Sequence, residues 1–498
     1  MIKSVSTPRL ATNDVGVEPF ATRFLTPMDL TNISHFVDDS TDRSISTRLI
    51  SPIARRLSKF IPRTCAPNVL TAMSLIAILH AFHTTYNYRE VWPRFSIITS
   101  IIMFICYLTL DAIDGRHAAN IRNETPLGFV FNTALDAVSV NFIILTMGLS
   151  LGVVDMNLMW YLVQIGNLVF LWAQLSAFVK GFISFGLFSG PGEALFVFCV
   201  ILGVRAVFGL TWLLSVFSVF IKNGISPILS FFHPNTYYYL DSNDPIGFAT
   251  LMIHTIYYLL VLTLTMRCIF IPSKHNYTKI TLLFCLFNRC IPSLMIKYGI
   301  QTGVLTIQDV ICDGLFMAIL TTELVLARMA KRELHSWLFF MVILSTLNRF
   351  ASVLMAIFYF SSVFYDISTF MNIPLFTTVV NVYIDGVFDL CHIGHKRHIS
   401  RALNYGNRLL VGVMSDEDTG SYKRKPIMTL DERVAEVEAL RSVYKVIPGA
   451  PCFGIPKDFL EKWNIHVVLC SPEYDNDEDT SYKIPRDMGI LKVFNLYI

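Results

Sequence analysis

Phe104-Ile-Cys-Tyr-Leu-Thr-Leu-Asp111-Ala-Ile-Asp114-Gly115-Arg-His-Ala118-Ala119 carries an uncharged apolar run straight into two carboxylates. The run covers 95–113, close to the length that crosses a bilayer. An acid inside such a segment costs on the order of 3 kcal/mol, so it marks a functional position. Asp111 and Asp114 are three apart and share one helix face. The next apolar run contains Gly128-Phe-Val-Phe-Asn132-Thr-Ala-Leu-Asp136, in which Asn132 and Asp136, four apart, share a face as well. Where those two faces meet, three carboxylates and an amide would surround one site. Hard divalent cations such as Mg2+ or Mn2+ prefer oxygen donors of this kind. A pair of them clamps the attacking and leaving oxygens of a phosphoryl group. Gly115 and Gly128 leave room for backbone or ligand to come close. The competing reading is a helix pair joined by protonated carboxylates.

Composition supports the membrane setting. The 498 residues are 53% hydrophobic and 15% charged, with 39 Phe and a mean hydropathy of +0.53. Soluble domains carry about 25% charged residues. The balance of 40 Lys+Arg against 37 Asp+Glu leaves +3. That excludes a strongly basic nucleic-acid binder and an acidic disordered chain. The 10 cysteines form no C-x-x-C pair, which argues against a zinc site or a disulfide framework. No signal-peptide pattern opens the chain.

Working outward, residues 1–45 are polar and patternless and are expected to be loosely ordered. From Ser46 to Ile61, Leu49, Ile53, Leu57 and Ile61 recur every four residues, with Arg55, Arg56 and Lys59 on other faces. This predicts a basic amphipathic helix on a membrane surface, with that end cytoplasmic. Apolar runs follow at 68–86, 95–113, 128–151, 157–180, 195–221, 246–270, 279–298, 304–330 and 335–365. Asn348-Arg349 interrupts the last run, which is long enough to hide two helices. The segment from Asn223 to Pro245 reads as a break between spans. A membrane domain over 46–366 results.

Beyond 366–380 short β-rich runs (Val379–Ile384, Arg408–Val413, Lys445–Ile447, His466–Leu469) alternate with charged helical stretches, clearest at His398–Tyr405 and Asp431–Val443. That alternation predicts a parallel α/β sheet, hence a soluble Rossmann-like domain over 379–498. Its strongest signal is Val382-Tyr-Ile-Asp385-Gly386-Val-Phe388-Asp389-Leu-Cys-His392-Ile-Gly394-His395, placed where a strand yields to a helix. There two imidazoles and a helix amino terminus can face a phosphate. Gly394 lets the backbone turn close to the ligand.

The membrane motif resembles that of the CDP-alcohol phosphotransferases, D-x-x-D-G-x-x-A-R, eight residues, then G-x-x-x-D-x-x-x-D. Asp111, Asp114, Gly115, Ala118, Gly128 and Asp136 keep its spacing. Thr125-Pro-Leu-Gly128 points to the choline/ethanolamine phosphotransferase branch, as do Ala66-Pro67-Asn68-Val-Leu-Thr71, Ser189-Gly190-Pro191-Gly192-Glu193-Ala194-Leu195 and Thr322-Glu-Leu-Val-Leu-Ala327-Arg-Met329-Ala-Lys331-Arg-Glu333. The resemblance implies about ten spans and a metal site of Asp111, Asp114, Asn132 and Asp136. It also implies nucleotide contacts from Pro67, Asn68, Thr71, Gly115, Ala118 and Gly128, with Asp136 or Glu193 as base. Ala119 stands where the family has arginine, Asn132 where it has aspartate, and Thr133 where that branch often has histidine. An amide removes one negative charge, which predicts weaker metal binding.

The tail resembles the cytidylyltransferases acting on ethanolamine phosphate or choline phosphate. The resemblance rests on the motif above together with Leu410-Val-Gly412-Val-Met-Ser415-Asp416-Glu417, Tyr422-Lys423, Pro426-Ile-Met428, Glu432-Arg433 and Gly449-Ala450-Pro451. It implies that His392, His395 and Lys423 stabilise charge on CTP, and that Gly386, Phe388, Asp389, Gly394 and Arg441 bind substrate. The family's R-Y-V-D-E reads Arg441-Ser-Val443-Tyr-Lys here, and no R-T-x-G-I-S-T-T motif precedes Ile498. Weakened CTP binding is the expectation.

Together the resemblances imply a bifunctional enzyme of phospholipid synthesis. One half would make a CDP-alcohol from CTP and phosphoethanolamine or phosphocholine. The other would transfer the phosphoalcohol to diacylglycerol among membrane phospholipids. The alternative is a nucleotide- and lipid-binding homologue that has lost catalysis at one or both sites. The resemblance also implies residence in the endoplasmic reticulum or another endomembrane, both ends cytoplasmic, and a homodimer.

Overall fold

A computed structural model of the chain describes residues 24–38, 40–186, 190–220, 245–271, 275–297, 305–476 and 479–493. Two compact units divide at Phe376/Thr377.

The first unit is helical. Proline opens several of its apolar helices, among them α3 (Pro67–Tyr88), α4 (Pro93–Asn120), α5 (Pro126–Ser150) and α7 (Pro191–Phe208). Proline suits the first helical position, because its missing N–H would have had no intrahelical acceptor there. α6 (Met156–Lys180) instead starts on the Asp155 cap. Between and before these lie α1 (Pro27–Ser34) and α2 (Ile45–Leu57), and α8 (Leu210–Phe220) follows α7. The remaining helices are α9 (Pro245–Ile269), α10 (Asn276–Lys297), α11 (Ile307–Ala330), α12 (Trp337–Leu347) and α13 (Ala351–Met371). α11 is buried on nearly every face against α5, α6 and α13, while α3 packs between α4 and α5.

Among the described residues eight helices are long and apolar enough to cross a membrane: α3, α4, α5, α6, α7, α9, α11 and α13. The expectation was about ten spans, and α8, α10 and α12 are further helices of this unit outside that count. The run 195–221 breaks at Gly209, whose φ of 84° ends α7. α10 carries Lys279, Arg289 and Lys297. The run 335–365 divides at Asn348-Arg349 into α12 and α13. Arg349 reaches Asp313 at 3.6 Å and Asp309 at 3.8 Å on α11, and Asp313 also meets Arg289 at 3.3 Å and Trp160 Nε1 at 2.8 Å. A charged cluster of that kind holds the break in place.

Loose order does not extend through residue 45. α1 has a Thr26–Asp29 capping box and buries Leu30 and Ile33, and Arg332 lies 3.6 Å from Asp29. Thr41–Asp42 (β1) pairs in parallel with Ser184–Phe185 (β2). α2 exposes Leu49, Ile53 and Leu57, the face read as membrane-contacting. The break expected at Asn223–Pro245 lies outside the described residues, except for Pro245 itself, which opens α9.

The second unit is a five-stranded parallel sheet in the order β5-β4-β3-β6-β7, built from β3 (Asn381–Gly386), β4 (Arg408–Met414), β5 (Lys445–Ala450), β6 (Val467–Cys470) and β7 (Leu491–Val493). Alternating side chains feed two cores. Val382, Ile384, Val411 and Val413 pack on one face with Ile399 of α14 (Ile393–Ala402) and Val437 of α16 (Leu430–Glu438). Tyr383, Leu410 and Val468 pack on the other with Leu460 of α17 (Lys457–Lys462). The short α15 (Asp416–Tyr422) follows β4. The strand order reverses at β3, and ligands of such sheets bind beyond the carboxyl ends of the strands at that point.

Candidate active sites

In the helical unit the two acid-bearing faces do meet. Thr71 Oγ1 donates to Asp114 Oδ2 at 2.6 Å, Asn132 Nδ2 to Asp111 Oδ1 at 3.4 Å, and Tyr107 OH to Asp136 Oδ1 at 2.7 Å. A Cβ at Gly128 would lie 3.2 Å from Asn68 Oδ1, so glycine lets α5 close on α3. Asn68 Nδ2 also donates to the Leu375 carbonyl at 2.8 Å.

A cavity of about 510 Å3 opens here, lined among others by Pro67, Asn68, Thr71, Asp114, Gly115, Ala118, Gly128 and Asn132. Those are all six nucleotide positions expected on this unit and two of the four metal positions. Asp111 and Asp136 do not line it; each lies about one turn farther along its helix. Among the described residues no three His, Cys, Asp or Glu side chains already group as metal ligands. Asp114 and Asp136 are each taken up by a hydroxyl. The donor set still suits a hard cation at one place: Asn132 Oδ1 is buried beside Asp111 with no hydrogen-bond partner.

Glu193 is placed differently from expectation. Its Oε1 accepts the Ser46 N–H at 2.9 Å and so caps the start of α2, it does not line the cavity, and its Oε2 is buried without a partner. Thr133 bonds within its own helix, to the Phe129 carbonyl at 2.9 Å.

In the second unit β3 ends at Gly386 and the chain turns through Phe388 (φ 54°) and Leu390 (φ 56°). His392 caps α14: its Nδ1 accepts the Gly394 N–H at 3.1 Å. The His392 and His395 rings stack with centroids 4.0 Å apart, and Phe388 lies edge-on to His395 at 5.5 Å. Burial and the neighbouring His392 hold the His395 imidazole below its ordinary range. Asp389 accepts the Ile427 and Met428 N–H groups at 3.0 and 3.1 Å, which hold its carboxyl below the usual range. That pair of bonds tethers the loop after Lys423, itself the C-cap of α15, beside the histidine turn. Arg441 is not brought there. It precedes β5, on the amino edge of a sheet whose other site residues follow carboxyl ends.

Comparison with known proteins decides the assignment. Residues 64–184 match the family model for CDP-alcohol phosphatidyltransferase, and residues 383–487 that for cytidylyltransferase-like domains. The chain carries two enzyme-family domains. The phosphatidyltransferase domain lies in an integral membrane unit; the cytidylyltransferase-like domain is the parallel sheet. Choline/ethanolaminephosphotransferase 1 of Saccharomyces cerevisiae is 28% identical over 193 residues, 37% of this chain and 49% of that protein. Ethanolamine-phosphate cytidylyltransferase of Arabidopsis thaliana is 40% identical over 122 residues, 23% of this chain and 28% of that protein. Choline-phosphate cytidylyltransferase 2 of the same plant is 43% identical over 91 residues, 18% of this chain and 30% of that protein. The chain thus spans about half the length, or less, of these curated relatives.

Three residues shape the sites in roles that the sequence did not assign to them. Tyr107 looks like one more apolar residue of its span. Arg433 of the cytidylyltransferase-like domain, 0% exposed, donates to the carbonyls of Val387 (2.6 Å), Met414 (2.9 Å) and Met428 (3.3 Å) and pairs with Asp416. Arg328 of the membrane unit is buried between the cavity-lining rings of Phe36 and Phe129, 5.4 Å from each, with Nη2 3.9 Å from Asp38.

Proposed function

We propose that this chain is a bifunctional phospholipid-synthesis enzyme that makes a CDP-alcohol and transfers its phosphoalcohol to diacylglycerol. The observation that carries the reading is the 510 Å3 cavity, where all six nucleotide positions of the phosphotransferase motif converge beside Asp114 and Asn132. The same chain also sets His392 and His395 at the switch point of a parallel sheet.

In the first reaction a phosphate oxygen of phosphoethanolamine or phosphocholine attacks the α-phosphorus of CTP, and pyrophosphate leaves. His392, His395 and Lys423 supply positive charge where negative charge develops. Asp389 holds the 423–428 segment, and with it Lys423, against the turn.

In the second reaction the diacylglycerol hydroxyl attacks the phosphorus distal to cytidine; the bond to the bridging oxygen breaks and CMP leaves. Pro67, Asn68 and Thr71 hold the nucleotide against Gly115, Ala118 and Gly128. Asp136 takes the hydroxyl proton on the oxygen that Tyr107 does not occupy, with Glu193 Oε2 as the other available base. A magnesium or manganese ion bound by Asp111, Asp114, Asn132 and Asp136 would neutralise diphosphate charge. Fusion raises the effective concentration of the soluble intermediate near the second site. The active ends face the cytoplasm, the source of CTP, in the endoplasmic reticulum or a related membrane, in a homodimer.

Asn132 and Ala119 favour the alternative of a binding homologue without turnover. Detergent-solubilised protein incubated with CTP, labelled phosphoethanolamine or phosphocholine, diacylglycerol and manganese separates the two. Labelled CDP-alcohol and labelled lipid are counted independently. Both products are expected, and the absence of both overturns the enzymatic reading.

A further inference from the structure

The turn of α4 that carries Asp114 has a second face. Asp114, Gly115 and Ala118 line the cavity described above, whereas Arg116, Ala119 and Asn120 line a separate cavity of about 600 Å3 under α2. Arg55, Lys59 and Arg63 enter it from the other side, and no carboxylate is among its lining residues. Arg116 is partly committed, since its guanidinium donates to Ser51. The side chains of Arg55, Lys59 and Arg63 have no ion-pair or hydrogen-bond partner among the described residues. Three uncompensated cations converging on one hollow repel one another unless an anion joins them.

We propose that this cavity binds the phosphate of an anionic phospholipid headgroup. The choice of a lipid over a soluble phosphate follows from what flanks the cations. Leu49, Ile53 and Leu57 of α2 and Phe60 just beyond it are 57%, 53%, 40% and 83% exposed. An interfacial helix with such a face sinks it into the acyl boundary, which places Arg55 and Lys59 at headgroup depth. Basic hollows between membrane helices on the cytoplasmic side take anionic headgroups for this reason. The volume is that of a headgroup site. Because the same helical turn faces both cavities, the bound lipid braces the segment that carries Asp111 and Asp114.

Full-length protein, delipidated in neutral detergent, is titrated with phosphatidic acid or phosphatidylcholine, and bound lipid is counted by native mass spectrometry. Wild type should retain phosphatidic acid in preference to phosphatidylcholine. Arg55→Ala/Lys59→Ala/Arg63→Ala should weaken that retention by on the order of 10-fold or more. Arg55→Lys/Lys59→Arg/Arg63→Lys should keep it, which separates lost charge from lost fold. Asp114→Asn, in the other cavity, should leave it unchanged. Equal retention of the two lipids, or undiminished retention by the alanine variant, overturns the proposal. So does loss of phosphatidic acid in Asp114→Asn. Displacement by an equal concentration of glycerol 3-phosphate would identify a soluble phosphate site and overturn the lipid assignment.

Discussion

Asn132 gives its amide to Asp111 Oδ1 at 3.4 Å while its own carbonyl oxygen stays buried with no partner. An orphaned oxygen beside a carboxylate is half of a cation site, and the amide is why that half is weak. Asn132→Asp should tighten manganese binding about tenfold, read by titration calorimetry, and raise lipid product per unit time. Without metal the same variant should melt lower than wild type, because two carboxylates then face each other across the gap. Unchanged manganese affinity would show that the pair does not ligate.

Much of the site was legible because helices repeat at 3.6 residues. The spacings 111/114 and 132/136 predict shared faces, whereas Asn68 and Thr71 were named only through the resemblance of Ala66–Thr71 to the phosphotransferase motif. Strands β3 and β4 were legible from their apolar runs. Other features depend on contacts between segments far apart in sequence. Arg433 acts through the carbonyls of Val387 and Met414, and a backbone oxygen leaves no mark on residue identity. Arg441 was misplaced because chain order does not say which edge of a sheet a residue occupies until strand direction is known. The division at Asn348-Arg349 could be anticipated, but its acid partners on α11 could not.

Arg433 holds together the ends of β3 and β4 and the Met428 loop, so removing it leaves three carbonyls and Asp416 without their donor. Arg433→Ala should cost about 3 kcal/mol or more of domain stability. The expected signs are a lower melting transition for the sheet domain in calorimetry and faster proteolysis within residues 383–487. CMP release from supplied CDP-alcohol should persist.

The stacked histidines make a different split. His392→Asn and His395→Asn should each reduce CDP-alcohol formation from CTP by on the order of 100-fold or more. Neither should change transfer from supplied CDP-alcohol to diacylglycerol. Equal loss of both activities would mean the turn is structural.

Asp385 sets a pH signature. Burial pushes its carboxyl up to about 6 although Tyr482 OH donates to it at 2.7 Å. Its ordinary value is 3.8, so between roughly pH 4 and 6 the folded domain holds more proton than the unfolded chain. This group's contribution is therefore fully present below that window and lost as pH rises through 6. Asp385→Asn should raise the melting temperature at pH 7.5 and confer no advantage at pH 4, as measured by scanning calorimetry. A benefit that grows toward acid would have the wrong sign and refute the assignment.

Arg328 tests how the first cavity keeps its wall. Its three guanidinium nitrogens make no hydrogen bond among the described residues, so the rings of Phe36 and Phe129 and the 3.9 Å approach to Asp38 are what hold it. A buried cation stacked between aromatic rings is worth about 2 kcal/mol where water is excluded. Arg328→Ala should loosen residues 36–38, which line the 510 Å3 cavity, without touching Asp136. The KM for CDP-alcohol should rise on the order of 10-fold while kcat changes little, since uniform binding is lost rather than transition-state stabilisation. Arg328→Lys keeps the charge but not the planar stack and should fall between the two. A fall in kcat at unchanged KM would place Arg328 in the chemical step instead.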